Sequence, residues 1–134
     1  MEQTLSLRDP PLLIGDRSES NLRSIARAAM VRAPELAGHL LDEVDRAEIV
    51  TESEVPVDVV GIGSFVTYRV QLTGRINTIQ LVPPHEADLA SLRVSVVSAI
   101  GVALIGLKPG QQIWWKLGGL GHVLEVLRVS RDPD

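Results

Sequence analysis

The sequence predicts an α+β fold, in which a short pair of helices leads into a twisted antiparallel sheet that carries one short helix. Three observations predict it. Up to about residue 50 the chain is rich in Leu, Ala, Arg and Glu, a helix-forming composition. From about residue 56 onward Val, Ile, Gly and Thr take over, which suits strands and turns. Apolar residues recur at helical spacing in the first zone, and Pro and Gly interrupt short apolar runs in the second. A chain of 134 residues suits one domain with a small appendage, divided here at residues 1–55 and 56–134. It can bury about two-thirds of its unfolded surface, so it needs no disulfide or metal to fold.

The elements follow in order. A tail ends at Pro10-Pro11, and Leu12-Leu13-Ile14 reads as a short strand or a strap against the core. Asp16 and Ser18 are helix-capping types, and Glu19 stands three residues after Asp16. Helix 1 is expected from about Ser18 to Arg32, with Leu22, Ile25 and Ala29 on one narrow stripe. Pro34 suits the first position of a second helix, whose stripe is Leu36, Leu40, Val44 and Ala47. The few residues around Arg32-Ala33 force an antiparallel helical hairpin. Residues 51–56 read as a linker. Strands are expected at Phe65–Val70, Arg75–Val82, Arg93–Val97, Ile113–Leu117 and Val123–Val129, and a short helix at Ile100–Leu107. Gly118-Gly119-Leu120-Gly121 joins the last two strands as a hairpin connection.

Composition excludes several functions. There is no cysteine, so thiolate metal sites and disulfides are out, which suits a reducing cytoplasm. The net charge of −4 gives little attraction for a phosphate backbone, so strong direct nucleic-acid binding is not expected. Met1–Pro10 lacks a basic start followed by an apolar run, and Ser98–Leu107 is too short to span a bilayer; neither a signal peptide nor a membrane segment is expected.

No side-chain set points to catalysis. His39, His85 and His122 share no metal-ligand spacing, no Gly-x-Ser-x-Gly occurs, and Gly61-Ile62-Gly63-Ser64 precedes a strand where a phosphate loop would open a helix. Asp42, Asp45 and Glu48 on helix 2, with Arg23 and Arg27 on helix 1, read as a solvated surface with weak ion pairs. Adjacent Trp114 and Trp115 must point to opposite faces of a strand, leaving one as a contact candidate. No catalytic residue, metal or cofactor is expected.

A longer pattern carries more. Leu81-Val82-Pro83-Pro84-His85-Glu86-Ala87-Asp88 is followed by Arg93 to Leu107, then Pro109-Gly110, Gly118-Gly119 and Leu124-Glu125-Val126-Leu127. Upstream stand Leu40 to Ala47 and Val55 to Val60. The ordered set resembles the C-terminal domain of the Gre transcript-cleavage factors, and more closely the Rnk proteins, regulators of nucleoside diphosphate kinase. The resemblance implies a short coiled coil on a domain of FK506-binding-protein-like (FKBP-like) fold. It also implies a partner, bacterial RNA polymerase, gripped at the rim of its secondary channel. The docking segment it implies is Val97, Ser98 and Ala99, with Gly101 just inside the short helix; Ser98 and Ala99 are expected at the surface. In Gre factors a long coiled coil enters the channel and an acidic pair at its tip holds a metal ion in the polymerase active site.

Two departures matter. The hairpin is too short for that reach, and its tip, Val31-Arg32-Ala33-Pro34-Glu35, lacks the closely spaced Asp and Glu that would supply two oxygen ligands. Where the Gre pattern has Asp-Ser-Pro, this chain has Val97-Ser98-Ala99. The expected function is therefore a non-enzymatic regulator that binds RNA polymerase and competes with Gre-type factors. Two alternatives stand beside it: a modulator of another enzyme such as nucleoside diphosphate kinase, and a peptidyl-prolyl isomerase. The isomerase needs an aromatic-lined pocket, whereas aromatic content is 3%.

Overall fold

The fold is seen in a computed structural model that describes residues 10–117 and 120–132. The expected tail before Pro10 and the glycines 118–119 lie outside the described residues. The chain order is β1 (Leu13–Gly15), α1 (Asp16–Ala29), α2 (Pro34–Arg46), β2 (Glu48–Val50), β3 (Phe65–Val70), β4 (Ile76–Val82), β5 (Arg93–Ser95), α3 (Ala99–Leu104), β6 (Gln112–Leu117) and β7 (Leu120–Ser130). Single 3₁₀ turns stand at Glu52–Glu54, Pro84–Glu86 and Leu89–Ser91. The arrangement is mixed α+β: α3 packs on the sheet, and the pair α1–α2 reaches it through α3.

The strand expected at Leu12–Ile14 does form, and it does more than strap the core. Strands β1 and β2 pair in parallel, Leu13 opposite Glu48 and Gly15 opposite Val50, so the entry and exit of the helix pair lie side by side. Leu13 N–H donates to Gly106 O at 3.1 Å, which ties that entry to the second zone. Helices α1 and α2 pack on each other across the turn Met30–Ala33. Leu22, Ala26, Ala37, Leu40 and Val44 are fully buried in the common core, while Ile25, Ala29, Leu36 and Ala47 are half-buried. The alanines at the centre let the two backbones approach. Each buried leucine contributes about 1.5–3 kcal/mol.

Helix α1 begins at Asp16 and ends at Ala29, two residues earlier than expected at its start and three at its end. Its N-cap is Gly15, and neither Asp16 nor Ser18 caps it. The cap comes from elsewhere. The Glu52 carboxylate accepts Ser18 N–H at 2.8 Å and Ser18 Oγ–H at 2.7 Å, and Glu52 N–H donates to Asp16 Oδ1 at 3.1 Å. Residues 51–56 are thus a structured clamp, not a plain linker.

The main sheet runs β5-β4-β3-β7-β6. It was expected to be antiparallel; β3–β4, β3–β7 and β6–β7 are, but β4 and β5 are parallel. The ten residues between β4 and β5 carry two 3₁₀ turns, long enough to return the chain to the same end of the sheet. A bulge at Thr67/Tyr68 bends β3 against β7. Helix α3 packs on β5 and β6, the two edges, and α2 packs on α3. It stops at Leu104, three residues short of the expected end, because Gly106 takes φ +79° and donates to Val60 O. One cluster of buried side chains runs from Leu22 and Leu40 through Leu81, Leu104 and Ile113 to Leu124.

Candidate docking site

The segment between β5 and α3 is a tight corner built by two serines. Ser95 Oγ accepts Val97 N–H at 2.9 Å. Ser98 N–H and Oγ–H both donate to Ser95 O, at 3.1 and 2.7 Å. Ser98 Oγ then accepts Gly101 N–H at 3.0 Å, making Ser98 the N-cap of α3. The four residues named from the sequence divide by depth. Ser98 and Ala99 are half-buried, more enclosed than the surface positions expected. Val97 and Gly101 are buried. A Cβ on Gly101 would stand 2.8 Å from Val96 Cα and against Ser95 O, so only glycine fits there. Ser98 and Ala99 can meet a partner; Val97 and Gly101 hold the shape beneath them.

At the far end of the helix pair the turn presents Val31, which is 90% exposed, with Arg32 and Glu35. Glu35 is the single carboxylate of that turn. Among the described residues no group of three or more His, Asp or Glu could hold a metal ion. His39 sits edge-on to Trp115 with ring centroids 5.6 Å apart, His85 is 3.5 Å from Glu86, and His122 pairs with Trp115 across β6 and β7. Trp114 covers Gly121, where a Cβ would meet its ring at 2.5 Å. Both tryptophans are half-buried, so neither is a free aromatic anchor.

The acidic surface of α2 is partly engaged. Arg23 reaches Asp45 at 2.8 Å and Glu19 at 3.1 Å, and these contacts, Asp45 first, raise its pKa. Glu43 is buried and paired with Arg46 at 2.6 Å, and Arg46 also donates to Pro10 O. A cleft of about 250 Å³ opens between the start of α1 and residues 52–62, beside Ser18, Glu52, Ile62 and Arg131. Its Glu52 carboxylate is committed to Ser18, and Arg131 donates to Ile62 O at 3.3 Å. No helix among the described residues is long and apolar enough to cross a membrane.

One surface element escaped the sequence reading. Leu89 and Leu92 stand 80% and 58% exposed on the loop that feeds β5. Asp88, with Ser91 three residues on, was a visible loop-capping signal; the left-handed backbone at Leu92 was not.

Residues 54–131 match the family model described as "Transcription elongation factor, GreA/GreB, C-term". The chain belongs to this family. It is 31% identical over 126 residues to the "Regulator of nucleoside diphosphate kinase" of Escherichia coli (strain K12), covering 93% of each chain. It is 36% identical over 115 residues to "Transcription elongation factor GreA" of Rhodospirillum rubrum, covering 86% of this chain and 73% of that one. Among solved structures it is similar to the "Prokaryotic transcription elongation factor GreA/GreB from Nitrosomonas europaea", with TM-score 0.69 and 28% identity over 91% of this chain and 99% of that one. The relatives bear the names of regulators, as the sequence resemblance implied.

Proposed function

We propose that this Gre-family chain is a non-enzymatic, cytoplasmic regulator that binds RNA polymerase near its secondary channel, competes with Gre-type factors and does not stimulate transcript cleavage. In this reading residues 56–134, an FKBP-like domain, grip the polymerase through Ser98 and Ala99, shaped by Val97 and Gly101. Residues 1–55 present the helix pair as a short coiled-coil hairpin. The observation that carries the reading is a mismatch between the two halves. The family match covers the sheet domain, while the helices have 14 and 13 residues, about 20 Å each, and their turn holds one carboxylate. Docking is supported by the first half of that contrast. Lack of cleavage is supported by the second, since a metal ion needs more oxygen ligands than Glu35 alone.

The test uses purified RNA polymerase, a labelled Gre factor and this chain as competitor. Displacement with no gain of RNA cleavage in backtracked complexes is the expected result. Cleavage abolished by Glu35→Ala would overturn the non-enzymatic reading. The name of the Escherichia coli relative favours a second reading, a modulator of nucleoside diphosphate kinase. A binding assay with that purified kinase separates the two.

A further inference from the structure

We propose that Leu89 and Leu92 form an apolar prong with which this chain engages the same polymerase surface as Ser98 and Ala99. The inference rests on the polymerase reading above and adds a second contact to it. Leu89 and Leu92 are 80% and 58% exposed three residues apart, and what sets them apart from other exposed apolar side chains such as Leu72 is the constraint on their loop. The loop that carries them is heavily constrained. Asp88 and Arg93 exchange both backbone hydrogen bonds at 2.9 Å. Asp88 Oδ1 accepts Ala90 N–H at 3.2 Å, and its Oδ2 accepts Ser91 Oγ–H at 3.0 Å. Leu92 N–H donates to Leu89 O at 3.0 Å. Leu92 itself sits at φ +58°, ψ +34°, the left-handed region where Gly or Asn is at ease and leucine is not. A strained leucine held outward by so many bonds points to a use for its side chain.

The edge of the sheet tells what kind of contact this is. Strand β5 is an edge strand, open in principle to pairing with another strand. Three of its outward backbone groups are occupied, Arg93 N–H and O by Asp88 and Ser95 O by Ser98, which leaves no continuous edge for strand pairing. A partner must therefore be met by side chains. The prong lies at one end of β5 and the Ser98–Ala99 corner at the other. Six residues of extended chain span at most about 20 Å, which falls within one standard interface of about 800 Å² per partner. Small residues at one end admit a close approach, and the leucines fill a hollow at the other. At the root of the prong Arg93 is exposed, makes no ion pair among the described residues, and touches Gln80 only at 3.5 Å. The Asp88 carboxylate is spent within the loop. The complementary surface is an apolar hollow bordered by a carboxylate.

The experiment is displacement of a labelled Gre factor from RNA polymerase by the parent chain and by the double variant Leu89→Ser, Leu92→Asn. Asn is comfortable at the left-handed position, so the variant should fold. If it is unstable, Leu89→Ser alone serves, since that side chain is the more exposed. The expected result is a variant that needs at least ten times more protein for the same displacement. Equal competition by parent and variant overturns the prong and leaves the Ser98–Ala99 docking intact. A parent that never displaces the Gre factor overturns both. Sedimentation of the parent as a dimer and the variant as a monomer, with displacement unchanged, assigns the prong to a second copy of this chain and overturns the proposal as well.

Discussion

Ser18 and Glu52 meet at 2.7 Å, hydroxyl to carboxylate, although 34 residues separate them. The same carboxylate accepts Ser18 N–H, so a side chain from beyond the helix pair caps the first turn of α1. Gly15 completes the arrangement, because a Cβ there would collide with the Glu52 carboxylate. The contact fixes where the helix pair leaves the sheet.

A double-mutant cycle tests this. Glu52→Ala removes a cap and should cost about 1 kcal/mol, read by urea denaturation. Gly15→Ala should cost a similar amount in the parent, because the new methyl displaces the carboxylate. In the Glu52→Ala background the same change should be neutral, since Gly15 has φ −74°, which alanine adopts freely. Additive effects would show that Gly15 and Glu52 act separately.

Acid should weaken the same contact. The Ser18 hydroxyl, followed by the backbone N–H groups of Ser18 and Arg17, holds the Glu52 carboxyl below its usual range; desolvation and Asp16 oppose this. A depressed folded pKa means stability that is fully present above the ordinary Glu value of about 4.3 and lost as pH falls through the folded value. Glu52→Gln should flatten that part of the pH–stability curve, and an unchanged curve would sink the assignment.

Ser98 caps α3 and also stands in the proposed contact. Ser98→Ala should lose about 1 kcal/mol through the missing N-cap of α3. Ala99→Asp leaves the Ser98 cap and its Oγ–H bond to Ser95 O in place and adds a negative charge at the start of α3, so it is the cleaner probe of docking. It should retain the thermal midpoint of the parent and still compete less well for polymerase. Gly101→Ala is different in kind, for its neighbours are backbone atoms that cannot swing away. Overpacking of about 1–3 kcal/mol is expected, again from urea denaturation.

What the sequence made legible follows from distance along the chain. The stripes Leu22–Ile25–Ala29 and Leu36–Leu40–Val44 marked both helices, because helical periodicity is local. Strands β3, β4, β6 and β7 were marked in the same way, and Pro34 marked the start of α2. The cap of α1 was misassigned to Asp16 or Ser18 because the true partner, Glu52, is remote. The sequence predicts an antiparallel sheet, and the parallel pairing of β4 with β5 depends on where residues 83–92 return the chain, which no local pattern specifies. The proposed docking residues come from ordered resemblance; depth separates Ser98 and Ala99 from Val97 and Gly101, and depth is a property of the fold.

Leu92 supplies the last prediction. Its left-handed backbone brings Cβ close to the following carbonyl oxygen, at a cost of about 1–2 kcal/mol that a leucine side chain cannot offset by bonding locally. Its exposed side chain gives little burial in return. Leu92→Asn should therefore stabilise the isolated chain, by several tenths to about 1 kcal/mol, because Asn tolerates this conformation and can bond locally. Leu92→Gly should gain less, since glycine also frees the unfolded chain. Thermal and urea unfolding read both. A substitution that stabilises the free protein and weakens its competition for polymerase would separate folding from docking at one residue. Destabilisation by Leu92→Asn would instead place the leucine side chain in the service of the fold.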